Sequence, residues 1–476
     1  MSPDPTSRQL DEETPLLRSE GNTPAKKPQT PLPWRQFSML LVLQIAEPMT
    51  SQVISPFAPQ LIRDIGITHG DEALVSFYVG LYSLFFATEA LTIFHWSRLS
   101  DYIGRKPVLL IGLFGLSLSM FCFGLSKTFW TLVISRCLNG ALNGNIGVMK
   151  SMVAEMTDST NMARAWAFLP LAWSSGSTLG PLIGGGLARP ADRFPNIFGG
   201  SEFLKKYPYF LPCAVPATVS ALSWIITFLF LNETTTPKIN ISQLLPWQKR
   251  NSVLSPALET PPASFSIGDQ PVPIRALFVR RVLIATGSYA GIALVDVAFR
   301  TVQPVFYATP ISLGGLAILA VQGTAVGVIQ LLAFAKLHDI MGAKKLWLFA
   351  MTCALPMVAL FPALNVLARS SGVVQSVWYL VGLQLALTSC TNFAYAVSFI
   401  YIAAASPNRA SVGATNGFAQ VIVSVLRAVG PAAANSAFSI SIERQYLGGN
   451  LVYCVMAGMV CMAMGVGVLL PSYHVD

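Results

Sequence analysis

Apolar stretches, each about the length of a bilayer-crossing helix, alternate along the chain with short polar segments. Six fall near residues 37–61, 74–96, 107–126, 130–154, 166–187 and 208–231. Six more follow a polar gap, near 277–306, 313–335, 346–367, 374–404, 412–437 and 449–470. A helix rises ~1.5 Å per residue, so roughly 20 apolar residues cross the ~30 Å hydrocarbon core. The pattern predicts an all-α membrane protein: twelve transmembrane helices in two pseudo-symmetric six-helix bundles, 37–231 and 277–470. Residues 1–36 read as a disordered cytoplasmic tail, 232–276 as a proline- and serine-containing cytoplasmic linker, and 471–476 as a short cytoplasmic tail.

One polar interval is written twice. Ser97-Arg98-Leu99-Ser100-Asp101-Tyr102-Ile103-Gly104-Arg105-Lys106-Pro107 lies between two apolar runs, as does Lys336-Leu337-His338-Asp339-Ile340-Met341-Gly342-Ala343-Lys344-Lys345. In each copy the aspartate precedes the glycine by three positions. A charged hairpin that returns once per half predicts an internal duplication.

Polar residues inside the apolar runs fall into helical stripes. Helix one carries Gln44, Glu47, Ser51 and Ser55, and helix four carries Arg136, Asn139, Asn143 and Lys150. Helix seven carries Tyr289, Asp296, Arg300, Gln303 and Tyr307, and helix ten carries Gln384, Thr388, Thr391, Tyr395 and Ser398. These occupy equivalent places in a duplicated bundle of three-helix units. They either line a central cavity or form interhelical hydrogen bonds worth under ~1 kcal/mol each. The cavity reading selects Gln44, Asn139, Asn143, Tyr289, Arg300, Gln303, Gln384 and Tyr395 as substrate-lining residues. Charged groups within spans are costly and mark proton pathways, which makes Glu47, Asp296 and Arg136 the coupling candidates. Asp296 stands one turn before Arg300, so it is either a fixed ion-pair partner or a group that switches between Arg300 and a proton. Glu89 is expected to pair with the charged hairpin.

Charge then fixes orientation. The chain is 53% hydrophobic and 11% charged, with a formal net charge of +9. With the N-terminus inside, 20 of the 31 Lys and Arg fall on the cytoplasmic side, 8 outside and 3 within helices. The excess is therefore assigned to the positive-inside bias rather than to nucleic acid, with both termini cytoplasmic. The sequons at Asn232 and Asn240 then lie in the cytoplasmic linker and stay unmodified. Seven cysteines stand singly without a CxxC pair, and the histidines are scattered, so no metal site and no cofactor is expected. No P-loop or catalytic spacing points to an enzyme or to ATP as energy source. Glu12-Glu13-Thr14-Pro15-Leu16-Leu17 has the form of an acidic dileucine sorting signal.

With these features the chain resembles the major facilitator superfamily over nearly its whole length. The loop between helices two and three matches the family pattern at Leu99, Asp101, Gly104, Arg105 and Lys106, and departs from it at Ser97 and Tyr102. The resemblance implies that Asp101, Gly104, Arg105 and Lys106, with Asp339 in the second copy, form a cytoplasmic gating loop. Gly176, Gly180, Pro181, Gly184 and Gly185 match the glycine-proline run typical of the superfamily's proton antiporters. Ala46-Glu47-Pro48, Asn143-Gly144-Asn145 and Arg427-Ala428-Val429-Gly430-Pro431 look most like the branch holding fungal drug/proton antiporters and plant zinc-induced facilitator-like proteins. The implied function is secondary transport by alternating access: a monomer in the plasma or vacuolar membrane exchanging protons for a small organic molecule or drug. The alternatives are a facilitative uniporter, a proton symporter for a nutrient or metal chelate, or a receptor that has lost transport.

Overall fold

A computed structural model of the chain describes residues 30–67, 81–158, 160–235, 272–316 and 325–472. The dileucine sequence, most of the linker and the beginnings of helices two and eight lie outside these residues. The described part is helical, with no strand among its elements. Its first half contains α1 (Trp34–Gln52), α2 (Ala58–Ile65), α3 (Leu81–Ile103), α4 (Arg105–Gly124), α5 (Phe129–Leu142), α6 (Asn145–Met156), α7 (Met162–Leu187) and α8 (Phe210–Phe230). Its second half contains α9 (Arg280–Ala308), α10 (Ala325–Ser371), α11 (Gln375–Thr391), α12 (Phe393–Ala405), α13 (Val412–Glu443) and α14 (Leu451–Val468).

Seven helical stretches among the described residues are long and apolar enough to cross a membrane by length and composition alone. Others fall short by interruption, as at 130–154, or by polar content, as in the continuous helices α1, α3 and α7. The run at 130–154 is two helices, because the backbone of Asn143 leaves the helical region (φ −79°, ψ 68°) before Gly144 restarts it. The run at 374–404 is interrupted at Asn392, its counterpart in the second half. The run at 37–61 ends at Gln52 and resumes at Ala58. The four polar residues assigned to one face of helix four therefore span a break, and the single-helix spacing holds only up to Asn143.

Burial is inverted relative to a water-soluble protein. Large apolar side chains face outward along the helices, such as Leu182 at 66% exposure and Leu222, Ile225, Phe228 and Leu229 on α8. The interior holds Glu89, Arg105, Arg136, Asn143, Gln384, Gln420 and Ser424 alongside the apolar core. An exposed apolar perimeter around a polar interior is what a hydrocarbon solvent selects.

The repeated hairpin has the same backbone in both copies. Gly104 sits at φ 98°, ψ 163° between α3 and α4, and Gly342 at φ 74°, ψ 162° at the bend within α10. Both are in the positive-φ region that glycine enters without steric cost. The glycine run of α7 packs against α1. A Cβ on Gly176 would come within 2.3 Å of the Ile45 carbonyl oxygen, and one on Gly184 within 1.9 Å of that of Val53. Gly185 looks onto Pro56 at ordinary contact distance, so only every fourth glycine builds the seam.

Candidate functional site

Two clusters gather the polar residues. The first is the hairpin at one end of the molecule. Asp101, in the last turn of α3, accepts from the Arg105 guanidinium at 2.6 Å through Oδ1. The same carboxylate accepts the backbone N–H groups of Gly413 (3.2 Å) and Ala414 (2.9 Å) at the start of α13. First-turn N–H groups of a helix lack intrahelical partners and carry its positive end, so a carboxylate there satisfies both. Arg105 also donates to Glu155 on α6 at 2.8 Å, and Glu233, just past α8, accepts the backbone N–H groups of Arg105 and Lys106 at 2.8 and 2.9 Å. The hairpin thereby ties α3, α4, α6 and the end of α8 to α13, a partner more than 300 residues away.

The second copy is not wired this way. Asp339 has an ion contact with His338 at 3.9 Å, and its side chain is 44% exposed. Ala343 stands where the first copy has Arg105, so the guanidinium that organises the first hairpin has no counterpart. The expectation that Glu89 pairs with the hairpin is overturned. Glu89 is fully buried, about 18 Å along α3 from Asp101 at 1.5 Å per residue. It accepts from the Asn143 amide at 3.2 Å and from the Ser424 hydroxyl at 3.0 Å. Glu155 and Glu233 take the place at the hairpin that sequence reasoning gave to Glu89. Glu233 directly follows the sixth apolar run beside a basic hairpin, and that was the available signal.

The second cluster surrounds a partly open cavity with about 620 Å³ of space between its walls and mouth. It is lined from the first half by Gln44 (α1), Lys150 (α6) and Trp173 (α7), and from the second by Tyr289, Asp296 and Arg300 (α9), Tyr395 (α12) and Arg427 (α13). Asp296 is paired through both oxygens: Arg300 Nε donates to one at 2.7 Å and the Tyr395 hydroxyl to the other at 3.0 Å. Lys150 donates to the Tyr289 hydroxyl at 3.1 Å and to Gln420 at 3.0 Å, and its ammonium lies 4.1 Å from the Phe399 ring centre. Trp173 has two guanidiniums against its ring, Arg300 at 5.5 Å and Arg427 at 5.7 Å. The sequence stripes did not contain Trp173; its signal was a single bulky aromatic preceding a run of small residues on α7.

Other predicted positions lie elsewhere. Gln303, Tyr307 and Gln384 bond one another outside this lining, the Tyr307 hydroxyl donating to Gln384 at 2.7 Å. The Asn139 amide donates to Ser119 on α4 at 2.7 Å, and Arg136 lies over the Phe85 ring at 5.1 Å. These two face the interior of the first half, because the break at Asn143 turns α5 away from the cavity that α6 lines. Glu47 is buried on α1 behind the cavity wall, with its Oε2 unpartnered among the described residues. No group of three or more His, Cys, Asp or Glu among the described residues could hold a metal.

A helical, lipid-faced molecule with a polar cavity between its two halves is the plan of a membrane transporter, and the chain belongs to the Major Facilitator Superfamily, whose family profile it matches over residues 40–431. It is 28% identical to a major facilitator superfamily multidrug transporter of Aspergillus fumigatus, over 94% of this chain and 85% of that protein. It is 26% identical to the zinc induced facilitator 1 protein of Arabidopsis thaliana, over 86% of this chain and 84% of that one. The crystal structure of a human organic anion transporter aligns with a TM-score of 0.62 and 17% identity, covering 92% of this chain and all of that one. The protein is a transporter and not an enzyme.

Proposed function

We propose that the chain is a twelve-span, proton-coupled antiporter that exports a small organic molecule, or sequesters it in a vacuole, by alternating access. In this reading α1–α8 and α9–α14 form the two six-helix halves, and the hairpin end faces the cytoplasm. The observation that carries it is the cavity itself, lined by both halves at mid-chain depth while Asp101 holds the hairpin end shut against α13. Alternating access requires a site between two bodies and a closure that can be released on one side. Trp173 between two guanidiniums offers a flat face for an aromatic ligand. Asp296 is held by Arg300 and Tyr395, whereas Glu47 Oε2 has no partner among the described residues, so Glu47 is assigned the proton.

The test is uphill flux of a panel of fluorescent aromatic compounds in liposomes holding the full chain, with an imposed proton gradient. Accumulation that collapses when the gradient is dissipated supports antiport, and flux insensitive to the gradient replaces it with uniport. Glu47→Gln is expected to abolish the pH dependence of transport while leaving the protein folded. Wild-type pH dependence in that variant removes Glu47 from the mechanism.

A further inference from the structure

Glu89 is a second buried acid that the transport reading does not use, and its surroundings are built for a group with two protonation states. It lies on α3 at the line where the first half meets α13. From the hairpin inward, that line is closed at three levels: Asp101 on the N–H groups of Gly413 and Ala414, Gly417 against Ser97, and Glu89 on the Ser424 hydroxyl. The approach is tight, since a Cβ on Gly413 would sit 2.3 Å from Asp101 and one on Gly417 would sit 2.6 Å from the Ser97 side chain. Glu89 is thus the innermost bond of the seam, and it joins positions 335 residues apart.

Its two partners are neutral. The Asn143 amide nitrogen donates to one carboxyl oxygen at 3.2 Å and the Ser424 hydroxyl to the other at 3.0 Å. Among the described residues no cation forms a salt bridge with it. The charged and titratable groups facing it are Glu47 on α1, Lys150 on α6, Arg427 on α13 and Arg136 on α5. Arg136 lies over Phe85, one turn away on α3. An ionised carboxylate sealed from water on neutral donors alone is costly. The neutral acid has its own fit. The Asn143 Oδ1 is buried without a partner, and the O and N of an amide exchange by a simple flip. Flipped, Asn143 presents that oxygen to a carboxyl proton on Glu89, while Ser424 keeps its bond to the other oxygen.

We propose that Glu89 is a proton-binding residue that controls the α3–α13 seam: with its proton on, the seam closes over a neutral hydrogen-bonded pair, and with its proton off, burial of the charge drives the seam open. Because the closed seam excludes water, Glu89 exchanges its proton with the hairpin-side compartment only when α3 and α13 part. Glu89 acts here by positioning two helices. It rests on the alternating-access reading, but its test needs no substrate.

The test is amide hydrogen exchange of the full chain in lipid nanodiscs, read at residues 412–424 across a pH series. Each variant is compared with wild type at the same pH so that intrinsic exchange rates cancel. Wild type is expected to lose protection of this segment as pH rises, by about tenfold in exchange rate. Glu89→Gln, the neutral isostere, is expected to hold the segment protected throughout. The same pH-dependent loss in Glu89→Gln as in wild type overturns the proposal. If Glu89→Gln does not fold, Ser424→Ala removes one donor from the ionised form, and its protection profile shifts along the pH axis. An unchanged profile in that variant overturns the proposal equally. Should the seam respond as expected while liposome flux is absent, it is the transport reading that falls and not the role of Glu89.

Discussion

At the scale of single residues, two glycines with the same backbone carry different neighbours, and that separates a shared fold from a local device. Gly342 has open space where a Cβ would go, whereas a Cβ on Gly104 would lie 2.6 Å from the Glu233 carboxylate. Alanine at Gly342 should therefore cost only the positive-φ strain, about 1 kcal/mol. Alanine at Gly104 should cost more, because it also displaces the carboxylate that caps α4, a loss of a further ~1–2 kcal/mol. Thermal melting of the two variants in the same detergent checks the order, and equal losses would mean that Glu233 plays no part in holding the hairpin. The aspartate and glycine of each copy were legible in the sequence because their types and spacing repeat. The inequality between the copies was legible too, in Ala343 against Arg105. What it meant was not, since only the packing reveals that Arg105 also reaches Glu155 on another helix.

At the scale of elements, periodicity located the helices but not their interruptions. The stripe on helix four was read across Asn143 as if the helix were continuous, and the break sends Asn139 to Ser119 while Lys150 reaches the cavity. The break did leave a mark in the sequence, since Asn143-Gly144-Asn145 is a turn signal that the helical stripe was read across. The glycine run of α7 was legible because small residues every fourth position have one main structural use, the close approach of a neighbouring helix. Its depth was not, since Gly185 belongs to the motif and lies outside the seam. Gly176→Val should push α7 off α1 and lower stability by about 1–3 kcal/mol, as expected for overpacking. The same change at Gly186, which faces open space, should be nearly silent. Comparable melting losses at the two positions would remove the α1–α7 contact as the reason for the motif.

At the scale of the whole molecule, the two-bundle reading ties orientation to chemistry. If the hairpin end is cytoplasmic, Asn232 beside Glu233 never meets the glycosylation machinery, although it sits in an Asn-Glu-Thr sequon. Expression in a eukaryotic host followed by glycosidase treatment should leave the electrophoretic mobility unchanged. A shift that disappears in Asn232→Gln would invert the topology. The global plan could be foreseen because hydrophobic length and basic bias are summed over many residues. The site could be foreseen only in part, because its cations come from helices whose facing depends on packing: Lys150 after a break and against Phe399, and Arg427 midway along α13 and against Trp173.

Two matching elbows recur in the chain, yet only the first places an arginine beside its aspartate. Arg105 braces the Asp101 carboxylate that grips the opposite half, and Ala343 gives the second elbow no such brace. Under the alternating-access proposal, a machine fastened more firmly at one corner idles with that corner shut and presents its pocket to the far compartment. Such lopsidedness turns a nominally symmetric rocker into a ratchet, whose slow stroke is the unfastening.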